Sequence, residues 1–452
     1  MALIATTARI LTPAVPNSLK PTRPTIPTLE ACGIKPDVSL GGLEIAPEHR
    51  GVIFSFFSGS GFLDLGFERE GFIPVLVNEA HPPFLGAYKH SRARMTPPVT
   101  EPSLGYLQGS IEVLGGPEGR MWLQQQIATA RDVLGVPVGF IGGPPCPDFS
   151  NAGKHRGKDG DHGRLTQVYV DLIVAHRPDF FVFENVKGLM RNHPDHLKHI
   201  EYLLGKAGYR FATRLANALD YGAPQDRERV VIVGFHKSLY TRAGLKVPRR
   251  RRLDDALWAA DIVFDTAAIK ALPWPGAEPF AEGGARACPA GLPARLTVEH
   301  WFQQNQVVHH PNAHQRFRPR QGLARMQQVA EGDISRKSFK RLHRWRYSAT
   351  AAYGNNEVHL HPSEARRLSV AEALAIQSMP REFELPGDMT LSDMFKTIGN
   401  GVPFLMSRGI ARTVGRQLAA LAPRAQGPVL RAKPPEFLSR QDAANVPQPV
   451  LV

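Results

Sequence analysis

The sequence predicts an α/β fold, in which helices flank a mostly parallel β-sheet and a smaller second lobe follows. Between Gly51 and Phe235, short apolar runs alternate with amphipathic stretches, a pattern typical of βαβ units. After His236 the pattern breaks into a basic run and then Pro- and Gly-rich stretches, which indicates a different lobe. No apolar run is long enough to span a bilayer, so we expect a protein without membrane segments.

Five apolar runs predict the buried strands, and four amphipathic patterns predict helices. The strands are 51–57, 73–79, 136–143, 179–186 and 229–235, and the helices are 167–176, 197–209, 366–377 and a last one after Pro403. Ser369 and Glu372 have the spacing of a capping box at the start of the third helix. In parallel sheets, sites form in the loops that follow the carboxyl ends of strands.

Composition indicates a polyanionic partner. The net charge of +14 and pI near 9.9 favour nucleic acid, with a merely solvated basic surface as the alternative. Cys32, Cys146 and Cys288 are far apart in sequence, which predicts neither a disulfide framework nor a zinc site. His309, His310 and His314 lack an acid or cysteine at ligand spacing, so we expect surface histidines and no metal.

A Gly-rich loop follows the first strand. The chain turns through Ser58, Gly59, Ser60 and Gly61, and the next strand ends in Asn78-Glu79 about twenty residues later. Glycines let backbone approach a ligand, and an acid at that spacing binds ribose hydroxyls. A plain tight turn is the alternative, and the sequence favours a nucleoside cofactor other than a dinucleotide.

Cys146 follows a strand and the rigid Pro144-Pro145 turn. A buried structural cysteine is the common alternative, but prolines, glycines and polar residues make a poor core environment. A thiol is partly ionised near neutral pH and is tuned by cationic neighbours. We therefore interpret Cys146 as a nucleophile.

Three further segments carry polar groups at strand ends or turns. Glu184 ends an apolar strand and is either a helix-capping acid or a proton donor to a substrate ring nitrogen. Gln225, Arg227 and Arg229 alternate and so share one face of an extended segment, either as surface ion pairs or as a grip on an anion. Asn400 lies in a Gly-Asn-Gly turn.

A basic stretch lies in the predicted second lobe. Residues 314–346 contain ten Lys or Arg against two acids, interleaved with Phe317, Phe339 and Trp345. Such a stretch suits phosphate contact with base packing, and a solvated charged face is an equal alternative.

Together and in this order, these segments resemble the cytosine-C5 DNA methyltransferases, over about residues 51–420. The resemblance rests on the Pro-Pro-Cys loop, the Glu-Asn-Val strand end, the Gln-x-Arg-x-Arg strand and the Gly-Asn-x-Val-Pro turn. "HLHPSEARRLSVAEALAIQSMP" (359–380) is also similar to the family's segment before that turn. The resemblance implies a Rossmann-like class I methyltransferase fold with a DNA-recognition lobe.

What the resemblance implies for the site is specific. The cofactor would be S-adenosylmethionine, held by Phe57, Ser58, Gly59, Gly61, Glu79, Ser110, Leu165, Asn400 and Val402. The cytosine would be flipped out of double-stranded DNA, and Cys146 would attack its carbon 6. Glu184 would hydrogen-bond or protonate nitrogen 3, and Arg227, supported by Arg229, would orient the base. DNA contacts are expected at Ser150, Lys154, Gln225, Arg249, Arg250, Arg341 and Arg344.

Three residues depart from the family's pattern. Ser55 stands where the first motif usually has Asp, Ser110 stands where the third motif commonly has Asp, and Pro147 replaces the usual Gln after the nucleophile. The first two changes concern cofactor affinity. The third concerns how the loop after the nucleophile meets DNA.

The resemblance also implies a domain organisation. We expect a flexible arm over 1–48, a catalytic domain over 49–236, a target-recognition lobe over 237–389, a returning C-terminal helix over 390–421 and a disordered tail over 422–452. We expect a monomeric, cytoplasmic prokaryotic modification enzyme, used at the nucleoid, with a cognate restriction endonuclease as a candidate partner. The alternatives are a tRNA cytosine-5 methyltransferase and a non-catalytic DNA-binding regulator on the same scaffold.

Overall fold

The computed structural model describes residues 27–97, 99, 101–145, 161–336, 338–353 and 357–423, without the side chains of 161 and 162. Within these residues, seven strands form one sheet. They are β1 (Gly51–Phe56), β2 (Phe72–Glu79), β3 (Tyr106–Gln108), β4 (Val138–Gly142), β5 (Phe180–Val186), β6 (Tyr209–Asn217) and β7 (Glu228–His236). The five predicted strands are confirmed, and β3 and β6 are additions to them.

The strand order across the sheet is β3-β2-β1-β4-β5-β7-β6. Neighbours from β3 to β5 are parallel, whereas β7 is antiparallel to both β5 and β6. The carboxyl ends of β1, β2, β4 and β5 therefore meet the amino end of β7 at one edge. We call this the carboxyl edge, and the other end of the strands the opposite edge.

Fourteen helices are present in the part of the chain that the structure describes. They are α1 (Phe62–Glu68), α2 (Pro82–Arg92), α3 (Pro117–Asp132), α4 (Asp161–His176), α5 (Gly188–Arg191), α6 (Pro194–Lys206), α7 (Lys237–Arg242), α8 (Ala256–Ala259), α9 (Thr266–Lys270), α10 (Val298–Gln304), α11 (Leu323–Gln327), α12 (Val370–Ile376), α13 (Leu391–Asn400) and α14 (Phe404–Ala420). The capping box predicted for Ser369 and Glu372 is present at the start of α12. Helix α14 begins after Pro403, as the sequence predicts.

Helices cover both faces of the sheet because the central strands are buried on both sides. On β5, Phe181 and Phe183 pack in the core shared with α3, α4 and α6. Phe180 and Val182 point the other way, into the core shared with α1, α7 and α14. This alternation is the two-residue period of a strand, and it gives the three-layer arrangement that the sequence predicts.

The second lobe has its own core and packs against the catalytic domain. Its helices α10, α12 and α13 contribute apolar side chains to one cluster, and Phe62 and Leu65 of α1 belong to the same cluster. The lobe therefore meets the sheet domain at α1, the helix that follows the Gly-rich loop.

Two predicted boundaries need correction. Leu29 and Leu40 are fully buried against the sheet core, so residues 27–48 are part of the catalytic domain and not of a flexible arm. Tyr240 and Trp258 are buried in the core under α14, so the chain just after 237 also packs on the sheet. Residues 1–26 and 424–452, which include most of the predicted arm and tail, lie outside the described residues.

None of the described helices is long and apolar enough to cross a membrane.

Candidate active site

A cavity of about 660 Å³ opens at the carboxyl edge of the sheet. Its volume lies within the usual range of small-molecule sites. Eight of the nine residues predicted to hold a cofactor line it, and these are Phe57, Ser58, Gly59, Glu79, Ser110, Leu165, Asn400 and Val402. Chain segments that are distant in sequence therefore meet where the sequence predicts.

The Gly-rich loop forms one wall of the cavity. Phe57, the residue directly after β1, has a left-handed backbone with φ of 55°. This conformation is uncommon for a residue with a side chain and is typical of functional sites. Ser58 Oγ donates to the carbonyl oxygen of Asn78 (3.1 Å) and bonds Ser55 Oγ (2.8 Å). Ser55, which departs from the family's pattern, thus helps to hold the loop from beneath.

Gly61, the ninth predicted cofactor residue, does not line the cavity. It lies behind the loop, with φ of 82° at the start of α1, and its carbonyl accepts a hydrogen bond from Arg92. A Cβ at this position would lie 2.5 Å from Arg92 and 2.6 Å from the Tyr88 ring. Glycine is needed here for backbone conformation and packing.

Glu79 ends β2 and faces the cavity. Its Oε2 accepts from the Gly59 N–H and its Oε1 from the His81 N–H, both at 2.8 Å. Two backbone donors fix the orientation of the carboxylate, and each oxygen keeps a further lone pair for a ligand hydroxyl. Glu79 therefore has the position and acceptor capacity of a ribose-binding acid.

Ser110 lies on the third strand's side of the cavity. It caps a short 3₁₀ helix, and its hydroxyl accepts from the Glu112 N–H. The same hydroxyl donates to Glu112 Oε2 (3.0 Å). The residue that departs from the family's third motif is therefore occupied by local bonds while it lines the cavity.

The end of α13 forms the facing wall. Asn400 is exposed at the last position of this helix and lines the cavity. One turn earlier, Thr397 Oγ1 bonds Ser60 Oγ of the Gly-rich loop (2.8 Å). This bond ties the two walls together.

Glu184 lies on the cavity wall at the end of β5, and Arg229 lies at the start of β7. In the antiparallel pair Glu184 is opposite Val231, so Arg229 is its diagonal neighbour on the same face. The Arg229 Nε is 3.0 Å from Glu184 Oε1. Burial raises the pKa of Glu184, while the charges on Arg229 and Arg227 limit that rise.

Glycine at position 143 makes room for this carboxylate. A Cβ on Gly143 would lie 2.6 Å from Glu184 Oε2, closer than real contacts allow. Asn185, the next residue on β5, contacts the carbonyl oxygen of Pro144 at 3.5 Å. The Gly-Pro-Pro turn before Cys146 is therefore fitted to the end of β5, and Pro144 and Pro145 line the cavity.

Arg227 and Gln225 do not reach the cavity, contrary to the prediction that they contact substrate or DNA. The Arg227 guanidinium is fully buried and donates to the carbonyl oxygens of Gly399 (2.7 Å) and Ala351 (3.2 Å). Gln225 is equally buried, and its amide bonds Gln377 and the Ala351 N–H. Arg227 holds the turn around Asn400 directly, whereas Gln225 reaches it through Gln377, which donates to the carbonyl oxygens of Ile398 and Gly401. Both are therefore positioning residues.

Arg341 and Arg344 are also buried, which corrects their predicted contact with DNA. Arg341 donates to four backbone carbonyls, those of Met326, Val329, His361 and Glu364. Arg344 forms a two-bond ion pair with Glu331, at 2.8 and 3.0 Å. These guanidiniums organise the second lobe from inside.

The other predicted residues divide into two groups. Arg249 and Arg250 are exposed, but they lie beside the amino end of β6, at the opposite edge of the sheet from the cavity. Cys146, Ser150 and Lys154, together with Pro147, lie outside the described residues.

Metal ligation is not indicated. Among the described residues no group of three or more His, Cys, Asp or Glu side chains could hold a metal ion. His310 is buried, contrary to the surface position predicted for it. Its Nδ1 accepts from the Asn312 N–H, and its Nε2 lies 3.2 Å from the carbonyl oxygen of Phe383.

Comparison with known proteins agrees with this geometry. The sequence model of the C-5 cytosine-specific DNA methylase family matches residues 125–416. The Type II methyltransferase M.NmeDI of Neisseria meningitidis serogroup C is 53% identical over 365 residues, which cover 80% of this chain and 83% of the relative. The chain belongs to the C-5 cytosine-specific DNA methylase family.

More distant relatives are consistent with that membership. The Type II methyltransferase M.NgoPII of Neisseria gonorrhoeae is 26% identical over 373 residues, covering 81% of this chain and 96% of the relative. A crystal structure of a candidate DNA modification methyltransferase encoded within a prophage (E. coli) has 20% identity and a TM-score of 0.51, covering 82% of this chain and 99% of that one. The latter supports the fold.

The protein is thus a DNA cytosine-5 methyltransferase, as the sequence predicts. The matches favour neither of the alternatives, the tRNA methyltransferase and the non-catalytic regulator.

The methylase site also contains residues that sequence reasoning missed. Asp64, Thr397 and Lys396 line the cavity. Asp64 is fully buried, and Tyr88 Oη donates to its Oδ1 (3.4 Å). An acid in the first turn of a helix normally indicates an exposed dipole-stabilising residue, so no signal in the sequence predicts that Asp64 is buried beneath the loop.

Asp64→Asn is expected to change how the stability of the methylase depends on pH. Burial raises the pKa of Asp64 from 3.8 to about 7. A raised folded-state pKa stabilises the fold below about pH 4, and this contribution is lost as the pH rises to about 7. The asparagine variant cannot ionise, so the free energy of unfolding of the wild type minus that of the variant should fall over this range.

Urea unfolding from about pH 4 to about pH 8 measures this difference, whose slope is at most about 1.4 kcal/mol per pH unit. Asp132→Asn, at an exposed position in α3, is the matched control. A wild-type-minus-D64N difference that stays constant with pH would show that Asp64 ionises normally in the fold.

Proposed function

We propose that the cavity at the carboxyl edge binds S-adenosylmethionine and that the methylase modifies carbon 5 of a cytosine flipped out of a specific short duplex sequence. One observation carries the proposal: the Glu184–Arg229 pair and the Glu79–Gly59 cradle lie on the walls of one cavity. Glu184, which can hydrogen-bond a pyrimidine ring, and Glu79, which can hydrogen-bond a ribose, therefore lie in the same cavity.

The residues present fit the cofactor. Glu79 would accept hydrogen bonds from the ribose hydroxyls, and Gly59 lets the backbone approach closely. Leu165 and Val402 offer apolar surface, and Asn400 offers an amide at the opposite wall. When bound, S-adenosylmethionine supplies the methyl group as an electrophile.

The chain's own residues would prepare the cytosine. The thiolate of Cys146 would add to carbon 6, and Glu184 would donate a proton or hydrogen bond to nitrogen 3, which makes carbon 5 nucleophilic. Arg229 would orient Glu184 and hold the base, with Arg227 acting indirectly through the Asn400 turn. After methylation the carbon-5 proton would pass to water, the bond between carbon 6 and sulfur would break to release Cys146 as its thiolate, and nitrogen 3 would return its proton to Glu184.

The raised pKa of Glu184 supports its role as a proton donor. A carboxyl whose pKa lies closer to the working pH keeps a larger protonated fraction, and general acids work best in that range. The Arg229 contact holds the carboxyl in place while burial favours its neutral form.

The relatives support a proposal for the biological setting. Because M.NmeDI and M.NgoPII are named as Type II methyltransferases, we propose that this methylase protects DNA in a restriction–modification system. A cognate restriction endonuclease would be its partner, and it would act as a cytoplasmic monomer on nucleoid DNA. Loops of the second lobe would read the target sequence.

Glu79→Gln tests the cofactor assignment. We expect its affinity for S-adenosylmethionine, measured by isothermal titration calorimetry, to fall about 10- to 100-fold, because hydrogen bonds to a charged acceptor contribute about 1.5–3 kcal/mol. Glu118→Gln, at an exposed position in α3, should bind as the wild type does. Equal affinity of both variants would place the cofactor elsewhere.

The substrate is tested separately. Purified methylase is incubated with radiolabelled S-adenosylmethionine and either unmethylated genomic DNA or tRNA. Label in DNA cytosines supports the proposal, and sequencing of the methylated positions identifies the target. Label in tRNA alone would overturn it.

A further inference from the structure

A strongly basic segment follows β7 at the opposite edge of the sheet. Residues 237–252 contain seven Lys and Arg and no Asp or Glu, and we call this segment the basic edge. Arg249, Arg250, Arg251 and Arg252 are all exposed. Within the residues that the structure describes, none of these four arginines forms an ion pair with an acid.

The basic edge is held in place by the outermost strand. The Phe211 N–H on β6 donates to the carbonyl oxygen of Arg251 (2.9 Å), and the Leu253 N–H donates back to Phe211 (2.7 Å). This bridge is parallel, so Arg249 and Arg250 lie beside the first residues of β6. The segment is therefore an ordered border of the sheet.

Packing against α6 supports the same placement. A Cβ on Gly205 would lie 2.6 Å from Arg251 Cδ, so glycine leaves space for the stem of that arginine. On the other side, Arg210 Nε donates to the carbonyl oxygen of Pro248. Lys206 at the end of α6 is exposed near this border and adds to its charge.

The basic edge is far from the catalytic cavity. Glu184 is in register with Val231, which is in register with Arg214 on β6. Arg250 lies beside Tyr209, five residues earlier on β6, which corresponds to about 16 Å along the strands. Three strand spacings across the sheet add about 14 Å. A duplex that delivers a base to the carboxyl edge therefore lies against a different surface.

Nearby acids neutralise Arg242 of the basic edge but leave the four consecutive arginines without an acidic partner. Asp179 is fully buried at the opposite edge and binds Arg131 (3.0 Å) and Arg242 (2.6 Å). Asp254 and Asp255 follow the arginines, and Asp254 accepts from the Ala256 N–H at the start of α8. Consecutive guanidiniums without an acidic partner suit a ligand with closely spaced phosphates, and duplex DNA carries one charge per about 1.7 Å of axis.

We propose that the basic edge binds the phosphate backbone of a second segment of duplex DNA, at the opposite end of the sheet from the segment that enters the catalytic cavity. The two surfaces would let the methylase hold one part of a long molecule while the cavity samples another. The basic edge would thus increase the rate at which targets are found on long DNA, without taking part in methyl transfer.

The test compares two pairs of charge reversals in the full chain. Arg249→Glu with Arg250→Glu changes the basic edge. Lys35→Glu with Arg120→Glu changes two exposed positions elsewhere by the same net charge. Methyl transfer is measured on intact genomic DNA and on the same DNA sheared to a few helical turns. Activity on sheared DNA shows that the fold and the catalytic site are intact. If the wild type were inactive on sheared DNA as well, the catalytic proposal would fail, and this result would be distinct from a failure of the basic-edge proposal.

For the basic-edge variant, we expect the fold reduction in kcat/KM relative to the wild type to be at least tenfold larger on intact DNA than on sheared DNA. For the control variant, we expect the same fold reduction on both substrates. Binding to a poly(dA)·poly(dT) duplex, which contains no cytosine, is measured at several salt concentrations. The slope of log Kd against log salt should be smaller by about 1.8 for the basic-edge variant than for the wild type, which corresponds to two lost phosphate contacts.

Two outcomes would overturn the proposal. If both variants behave alike in the two assays, the basic edge is a solvated charged face. If wild-type protein binds a poly(rA)·poly(rU) duplex more tightly than the DNA duplex and only that binding depends on Arg249 and Arg250, the partner is RNA.

Discussion

Cys146→Ser is expected to abolish methyl transfer to DNA while S-adenosylmethionine still binds. A serine hydroxyl is not ionised near neutral pH, whereas a cysteine thiol beside cationic groups is partly thiolate. Without covalent addition at carbon 6, carbon 5 of cytosine has no means of becoming nucleophilic. We expect a loss of at least about 10³-fold in kcat, measured with radiolabelled cofactor and genomic DNA.

Trapping tests the same step directly. DNA containing 5-fluorocytosine at the target should form an adduct with the wild type that survives denaturing electrophoresis, because fluorine blocks the final elimination. Cys146→Ser should form none. Cys288→Ser, at an exposed cysteine outside the cavity lining, is the matched control and should form the adduct normally. Methyl transfer that persists in the Cys146→Ser protein would refute the nucleophile.

The central sheet could be predicted because its strands are buried on both faces. Burial of that kind makes each strand a continuous apolar run, as in β1, β5 and β7. The β3 strand is only three residues long and half-buried, and β6 includes partly exposed positions such as Arg210 and Arg214. Neither produces a run that the sequence alone distinguishes from a loop.

Site residues at strand ends were predictable for a related reason. Glu79 and Glu184 each interrupt an apolar run, and parallel topology brings such ends to one edge. The same reasoning gives a wrong position for Arg227. It shares alternation with Arg229, but β7 begins at Glu228, so Arg227 lies before the strand and its side chain binds carbonyls of the second lobe instead.

Basic residues of the second lobe were the least predictable. An arginine-rich run has the same local sequence whether its side chains bind phosphate or other parts of the protein. Arg344 is buried because Glu331, thirteen residues earlier, folds against it, and Arg341 because loop carbonyls converge on it. Glu331 and these carbonyls belong to irregular segments whose positions depend on the tertiary fold. Such segments have no sequence periodicity from which their positions could be predicted.

Glu184→Gln is expected to lower kcat by about 10²- to 10⁴-fold, the range typical of a positioned general acid. The substitution preserves the size of the side chain, so the space left by Gly143 and the packing at the end of β5 remain. The amide can still donate a hydrogen bond to nitrogen 3, but it cannot transfer a proton. A loss in this range therefore measures proton transfer separately from hydrogen bonding.

Glu228→Gln is the matched control, because Glu228 lies next to Arg229 on β7 but binds Lys187 and Arg191 away from Glu184. It should retain activity within a few-fold. The dependence of kcat on pH is an independent readout. Because burial raises the pKa of Glu184, the wild-type kcat should fall as the pH rises through that pKa. This fall should be absent in Glu184→Gln. If Glu184→Gln lost less than tenfold and kept the wild-type profile, the carboxyl would only position the base, and the proton would have to reach nitrogen 3 by another route.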